Sequence, residues 1–148
     1  MYQKKVPIKI VNNNAIIPTK GSEAAAGYDL YAAIDAKIMI KPHATVKIDT
    51  GIAVALPDNT FGGIFARSGI ATKRGLRPAN GVGVIDADYR GNIIVALHND
   101  TDIVQYVEPQ ERIAQLIIIP YVNAQFKEKD ELSETERGAG GFGSSGTK

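Results

Sequence analysis

Aliphatic residues fall on every second position through most of the chain. Val6, Ile8 and Ile10 alternate with other neighbours, and Ile34, Ala36, Ile38 and Ile40 are set against Asp35, Lys37, Met39 and Lys41. Val46 with Ile48, and then Ile52, Val54 and Leu56, continue the pattern. A period of two belongs to a strand with one face buried. Strands of the same kind are expected at 63–66, 82–85, 93–97, 103–107 and 112–119, separated by Pro57-Asp58-Asn59, His98-Asn99-Asp100 and Glu108-Pro109-Gln110 breaks. Roughly eight or more short strands with turns about every ten residues imply an all-β sandwich, jelly roll or barrel. Only 68–74 carries a helical signal, with Ser68 as the expected N-cap and Gly75 as the stop. The alternation ceases after about Lys127, so residues 1–126 read as one β domain and 127–148 as a flexible arm.

Composition narrows the function. A chain of 148 residues is one domain, and its 44% hydrophobic and 22% charged residues are ordinary for a globule. A net charge of +1 offers no general attraction to a nucleic-acid polymer or an anionic membrane, so any anion must be met locally. Cysteine is absent, which excludes disulfides, thiolate metal sites and a thiol nucleophile. The opening Met-Tyr-Gln-Lys-Lys-Val-Pro has no apolar leader, and the aliphatic run 116–119 is too short to span a bilayer. The expected setting is the cytoplasm, or the nucleus if the source has one. A small β domain must protect its sheet edges, and closed association does so, which points to a homo-oligomer.

Several motif matches fail on context. Gly141, Gly143 and Gly146 spell a dinucleotide-binding fingerprint, but no strand precedes them and no helix follows. Asp86-Ala-Asp88 begins like a calcium loop, yet Arg90 and Leu97 stand where ligands are needed. His43 and His98 lie beside strand ends and read as surface or strand-pairing residues rather than as metal ligands or catalysts.

Five segments remain unusual for a plain β domain. In 26–32, Asp29 lies between Tyr28 and Tyr31, as a turn residue or as a ligand. Arg67-Ser68-Gly69 closes a strand and opens the helix, aligning a guanidinium, a hydroxyl and backbone N–H groups either for a phosphate or as an ordinary helix start. The stretch 80–91 reads as a hairpin in which Val84 and Ile85 deliver Asp86 to a turn. There a carboxylate either holds and deprotonates a water or merely caps the backbone. Asn80 offers an amide that can pair with a pyrimidine edge, and Tyr89 a flat face for a sugar or base. Gln115 lies inside the apolar strand 112–119, where its amide must find partners. Finally, Arg137 to Gly146 combines a guanidinium, an aromatic ring and two serines with glycines whose backbone can approach an anion. By itself that segment is a disordered tail; with a ligand it is a gripping arm.

In this order the five segments closely resemble the motifs of the trimeric dUTP pyrophosphatase (dUTPase) family, matching 26–33, 67–69, 80–91, 112–116 and 137–146. Thr50-Gly51-Ile52 and Ala55-Leu56-Pro57 are also similar. Ser145 stands where many relatives have Thr, and Gln110-Glu111 where a Gly is frequent; the first keeps a hydroxyl and the second lies outside the ligand-facing residues. The resemblance implies a distorted jelly roll, a homotrimer with active sites at subunit boundaries, and hydrolysis of dUTP to dUMP and pyrophosphate with Mg²⁺ on the triphosphate. It implies that Asp86 orients and deprotonates the attacking water. Arg67, Ser68, Gly69 and Gln115 would hold the phosphates, and Arg137, Gly143, Ser144 and Ser145 would close on their terminal end. Asn80, the backbone of Gly83, Val84 and Ile85, and the main chain near Ile94 would read uracil. Tyr89 would pack against the sugar's 2′ carbon, Phe142 would stack on the base, and Asp29 would approach the metal through water. The dCTP deaminase family shares the β fold but lacks the closing arm, and a non-catalytic nucleotide-binding sandwich would not need every one of these groups intact.

Overall fold

The computed structural model describes residues 4–146. Eleven strands and one helix occur among them: β1 Ile8–Ile10, β2 Tyr28–Tyr31, β3 Ile38–Ile40, β4 Thr45–Asp49, β5 Ile52–Val54, β6 Thr60–Phe65, α1 Ser68–Arg74, β7 Leu76–Pro78, β8 Gly83–Ile85, β9 Ile94–Asn99, β10 Gln105–Val107 and β11 Arg112–Pro120. The expected all-β, jelly-roll-like class is thus met. A four-stranded sheet in the order β2-β11-β6-β8 and a three-stranded sheet in the order β4-β9-β7 are accompanied by two ribbons, β1-β5 and β10-β3, all antiparallel.

Alternation places the core. Val95 and Leu97 of β9 are buried while Ile94 is exposed, and Ile48 of β4 is buried beside exposed Lys47; β5 departs from the pattern, with Ile52, Ala53 and Val54 all buried. Residues of both larger sheets share one apolar cluster, which includes Leu30, Ile64 and Leu116 from one and Ile48, Leu76 and Leu97 from the other. Two polar side chains sit inside it with their bonds made. Thr50 Oγ1 donates to the Ile93 carbonyl at 2.6 Å. Asn99 Nδ2 donates to the carbonyls of Ile40, Lys41 and Ile103, and its Oδ1 accepts from Thr101. A buried amide left unpaired would cost about 1–3 kcal/mol, so this asparagine dictates the path of three neighbouring segments.

Four expectations change. The alternating stretch 34–41 forms a strand only over Ile38–Ile40, and 103–107 only over Gln105–Val107, because the Asn99 amide captures the Ile103 carbonyl and the chain bends there. Leu76–Pro78 is a strand despite its proline, which is tolerated because β7 is an edge. Ser68 is the first helical residue; the N-cap is Arg67, with extended backbone and no side-chain capping bond. The stop stands where expected, with Gly75 in the left-handed conformation at φ 62°. Lastly, the stretch 80–91 is not a closed hairpin: β8 pairs with β6, and the turn after it carries the chain across to β9 in the other sheet.

Beyond β11 the last bond to the body runs from Tyr121 N to the Asn59 carbonyl at 3.0 Å. Among the described residues, 122–146 bond only within themselves, in turns such as Gly140 N to the Arg137 carbonyl and Ser144 N to the Gly141 carbonyl. Among the described residues no helix is long and apolar enough to cross a membrane.

Candidate active site

Asp29, Arg67, Arg112 and Gln115 meet at one end of the four-stranded sheet. Pairing of β11 with β2 sets Gln115 opposite Asp29, and pairing of β11 with β6 sets Gln115 opposite Phe65, two residues before Arg67. Arg67 Nε donates to Asp29 Oδ1 at 2.8 Å, Arg112 Nη1 reaches Asp29 Oδ2 at 3.4 Å, and Arg67 Nη1 donates to the Arg112 carbonyl at 3.3 Å. One carboxylate therefore holds two guanidinium groups, and its side chain is only 14% exposed. The Gln115 amide, predicted to need a partner, donates to the Ala66 carbonyl at 2.8 Å and braces the backbone just before Arg67.

Sequence reasoning missed two participants here. Arg112 was read as part of a motif without a role, although it shares the carboxylate of Asp29. Gly27 is the other: a Cβ there would overlap Gln115 Oε1 and stand 3.1 Å from its Cδ, so a larger residue would displace the amide from this position. A glycine one residue before a strand was the available signal.

The second group follows β8. Gly83 is buried, Val84 is exposed and Ile85 half-buried, while Asn80 and Asp86 are exposed. Asp86 occupies a turn closed by Tyr89 N on the Asp86 carbonyl at 3.1 Å, and its carboxylate faces solvent in the single chain. Tyr89 is 43% exposed and Ile94, on the outward face of β9, 45%. Ser68 and Gly69 are exposed beside Arg67. The arm is a third group. Phe142 is fully exposed, with Gly143, Ser144 and Ser145 open beside it, while Arg137 Nε is spent on the Gly140 carbonyl.

These groups are not brought together within one chain. Strand β6 runs between the first two: Gly62 lies opposite Ile85, next to Asp86, whereas Phe65 at the other end leads into Arg67. Six residues at about 3.3 Å each put the Asp86 turn roughly 20 Å from Arg67. Grooves beside Pro7 and Ala55 are lined by none of the candidate phosphate-, base- or water-holding residues. Within this chain the three groups thus do not converge on one pocket.

Comparison with known proteins settles what this arrangement belongs to. The dUTPase family model matches residues 13–146. The chain belongs to the dUTPase family. Members of this dUTPase family hydrolyse dUTP to dUMP. The chain is 48% identical to the deoxyuridine 5'-triphosphate nucleotidohydrolase of Desulfitobacterium hafniense over 99% of both chains. It is 45% identical to the mitochondrial nucleotidohydrolase of the same name in Dictyostelium discoideum, covering 95% of this chain and 76% of the relative. In three dimensions it is similar to a Staphylococcus bacteriophage 80alpha dUTPase solved with dUPNHPP, with a TM-score of 0.90, 30% identity and coverage of 98% of this chain and 100% of that one. Motif order and fold therefore agree that this is a dUTPase chain, and the dispersed groups are the segments that the sequence resemblance singled out.

Proposed function

We propose that this chain hydrolyses dUTP to dUMP and pyrophosphate in active sites shared between three copies of itself, lowering dUTP and supplying dUMP. The observation that carries the shared site is the separation of Arg67 from Asp86 along β6, together with an arm that bonds only to itself. Groups about 20 Å apart cannot grip one triphosphate, whereas neighbouring subunits can bring one end of β6 against the opposite end of another. The cysteine-free chain suits a reducing setting such as the cytoplasm or nucleus.

Asp86 takes a proton from a water as the water oxygen bonds to the α-phosphorus and the bond from that phosphorus to the bridging oxygen of pyrophosphate breaks. An aspartate is a weak base, so its greater contribution is to hold the water in line with the leaving group. Arg67, Ser68, Gly69 and Gln115 hold the phosphate chain; Arg137, Gly143, Ser144 and Ser145 close over its far end, where negative charge accumulates as pyrophosphate leaves. Arg67 is suited to this because its Nε is occupied by Asp29, which fixes the direction of the outer nitrogens.

Among the described residues no three His, Cys, Asp or Glu side chains form a metal cage. One carboxylate, Asp29, whose oxygens have more lone pairs than its two guanidinium partners use, fits Mg²⁺ carried by the triphosphate with water between. When bound, the ion neutralises phosphate charge. Asn80 and the backbone of Gly83, Val84 and Ile85, with the main chain near Ile94, read the uracil edge, and Phe142 stacks on the base once the arm closes. Cytosine reverses part of that edge and leaves buried groups unpaired, a mismatch that such sites reject by about 10⁴ or more.

Incubating the chain with Mg²⁺ and either dUTP or dCTP tests the reading. Pyrophosphate and dUMP are expected from dUTP alone; ammonia released from dCTP would overturn it. Asp86→Asn should retain binding and lose about 10²–10⁴ in turnover, the usual contribution of a positioned base.

A further inference from the structure

Tyr89 is anchored at its far end. Its hydroxyl donates to the Asn92 carbonyl at 3.0 Å, although the ring stands 43% exposed. The ring lies across Gly91: a Cβ there would overlap Oη and come within 2.6 Å of Cζ. Gly91 is not among the glycines with positive φ, so the close approach of the Tyr89 ring, and not a left-handed backbone, is what a larger residue there would disturb. Asn92 is itself held, because its Nδ2 donates to Asp49 Oδ2 at 2.9 Å. Asp49 ends β4, where Oδ1 accepts from Gly51 N at 2.7 Å. The aromatic face that reads the sugar is thereby tied through one backbone carbonyl to a carboxylate fixed on the sheet.

We propose that Gly91, Asn92 and Asp49 are positioning residues that hold the Tyr89 ring and so determine how strongly the site rejects a 2′-hydroxyl. The proposal rests on the reading that Tyr89 packs against the 2′ carbon of the nucleotide. An apolar wall rejects an added hydroxyl only weakly, by roughly 10²-fold, and less if the wall can swing aside. A half-exposed tyrosine has two free torsions. The notch at Gly91 and the Asn92–Asp49 bond remove that freedom before substrate arrives, so the cost of displacing the ring falls on the ribonucleotide.

The test is the ratio of kcat/KM for dUTP to that for UTP, measured on the full chain with Mg²⁺. Gly91→Ala should lower this ratio by about tenfold, the scale of one imperfect contact in a discriminating site. Asp49→Asn keeps the acceptor for Gly51 and loses the one for Asn92, so it should lower the ratio in the same direction. It also keeps the proposal testable if alanine at position 91 unfolds the turn. In a Tyr89→Ala background neither change should move the ratio further. A merely structural role would lower both rates together with the ratio unchanged. That outcome, with Tyr89→Ala still altering the ratio, overturns the positioning proposal alone. If Tyr89→Ala itself leaves the ratio intact, the sugar-reading role fails and the proposal fails with it.

Discussion

Asp29 and Arg67 form an ion pair, Nε to Oδ1 at 2.8 Å, in which both side chains are mostly withdrawn from solvent. The pair joins the first and second motif segments, and Arg112 of the fourth shares the same carboxylate. Asp29→Asn should free Arg67 and reduce kcat/KM for dUTP by on the order of 10²-fold, the scale of a displaced phosphate-positioning group. Titrating Mg²⁺ separates this from a metal role. Excess Mg²⁺ should restore only the part of the loss that comes from the ion, and full restoration would show that the pair with Arg67 is not needed.

Gly27→Ala should push the Gln115 amide off the Ala66 carbonyl. The loss of one hydrogen bond amounts to about 1 kcal/mol, visible as a modestly lower unfolding midpoint. The larger change should be a higher KM for dUTP, since the backbone leading to Arg67 loses its brace. Wild-type kinetics in this variant would show that the brace is not needed.

Removal of residues 137–148 should leave the unfolding midpoint of the body nearly unchanged, because the described part of that segment bonds only within itself and to Thr135 of the same arm. Turnover of dUTP should fall sharply. Sedimentation should still show the association of the full chain, and undiminished turnover would remove the arm from the site.

Acid should loosen one surface link only below the usual carboxylate range. The hydrogen bond from Arg77 holds the Asp100 carboxyl below its ordinary 3.8, helped by the charges of Arg77, His98 and His43 and opposed by desolvation. A carboxylate whose folded pKa is depressed contributes stability that is complete above its unfolded pKa and is lost as pH falls through the folded value. Arg77→Met should move the Asp100 titration upward, towards 3.8, as read by carboxyl NMR. An unmoved titration would show that Arg77 is not the cause.

How much of this was legible before the structure depends on the kind of information. The period of two identified which face of a strand is buried: Ile48 of β4 lies inside and Lys47 outside, as the alternation requires. Gly75 ended the helix as expected. The five motif segments, and with them the family, were also readable in order along the chain. Strand partners were not. Alternation is the same whichever strand lies alongside, so nothing local distinguishes β8 beside β6 from β8 beside β9.

The site divides in the same way. At Asp29, Arg67, Asp86 and Gln115 the residue types alone left structural readings open, because guanidinium, amide and carboxylate groups bond as readily to backbone as to phosphate; their order along the chain, matching the motifs of one family, is what pointed to phosphate chemistry. Only the tertiary structure decided that Asp29 spends its charge on Arg67 and Arg112, that the Gln115 amide packs where a Cβ of residue 27 would stand, and that Arg67 and Asp86 lie toward opposite ends of one strand. Those relationships join segments far apart in the chain, and they are set by strand register and by how the two sheets close over a common core.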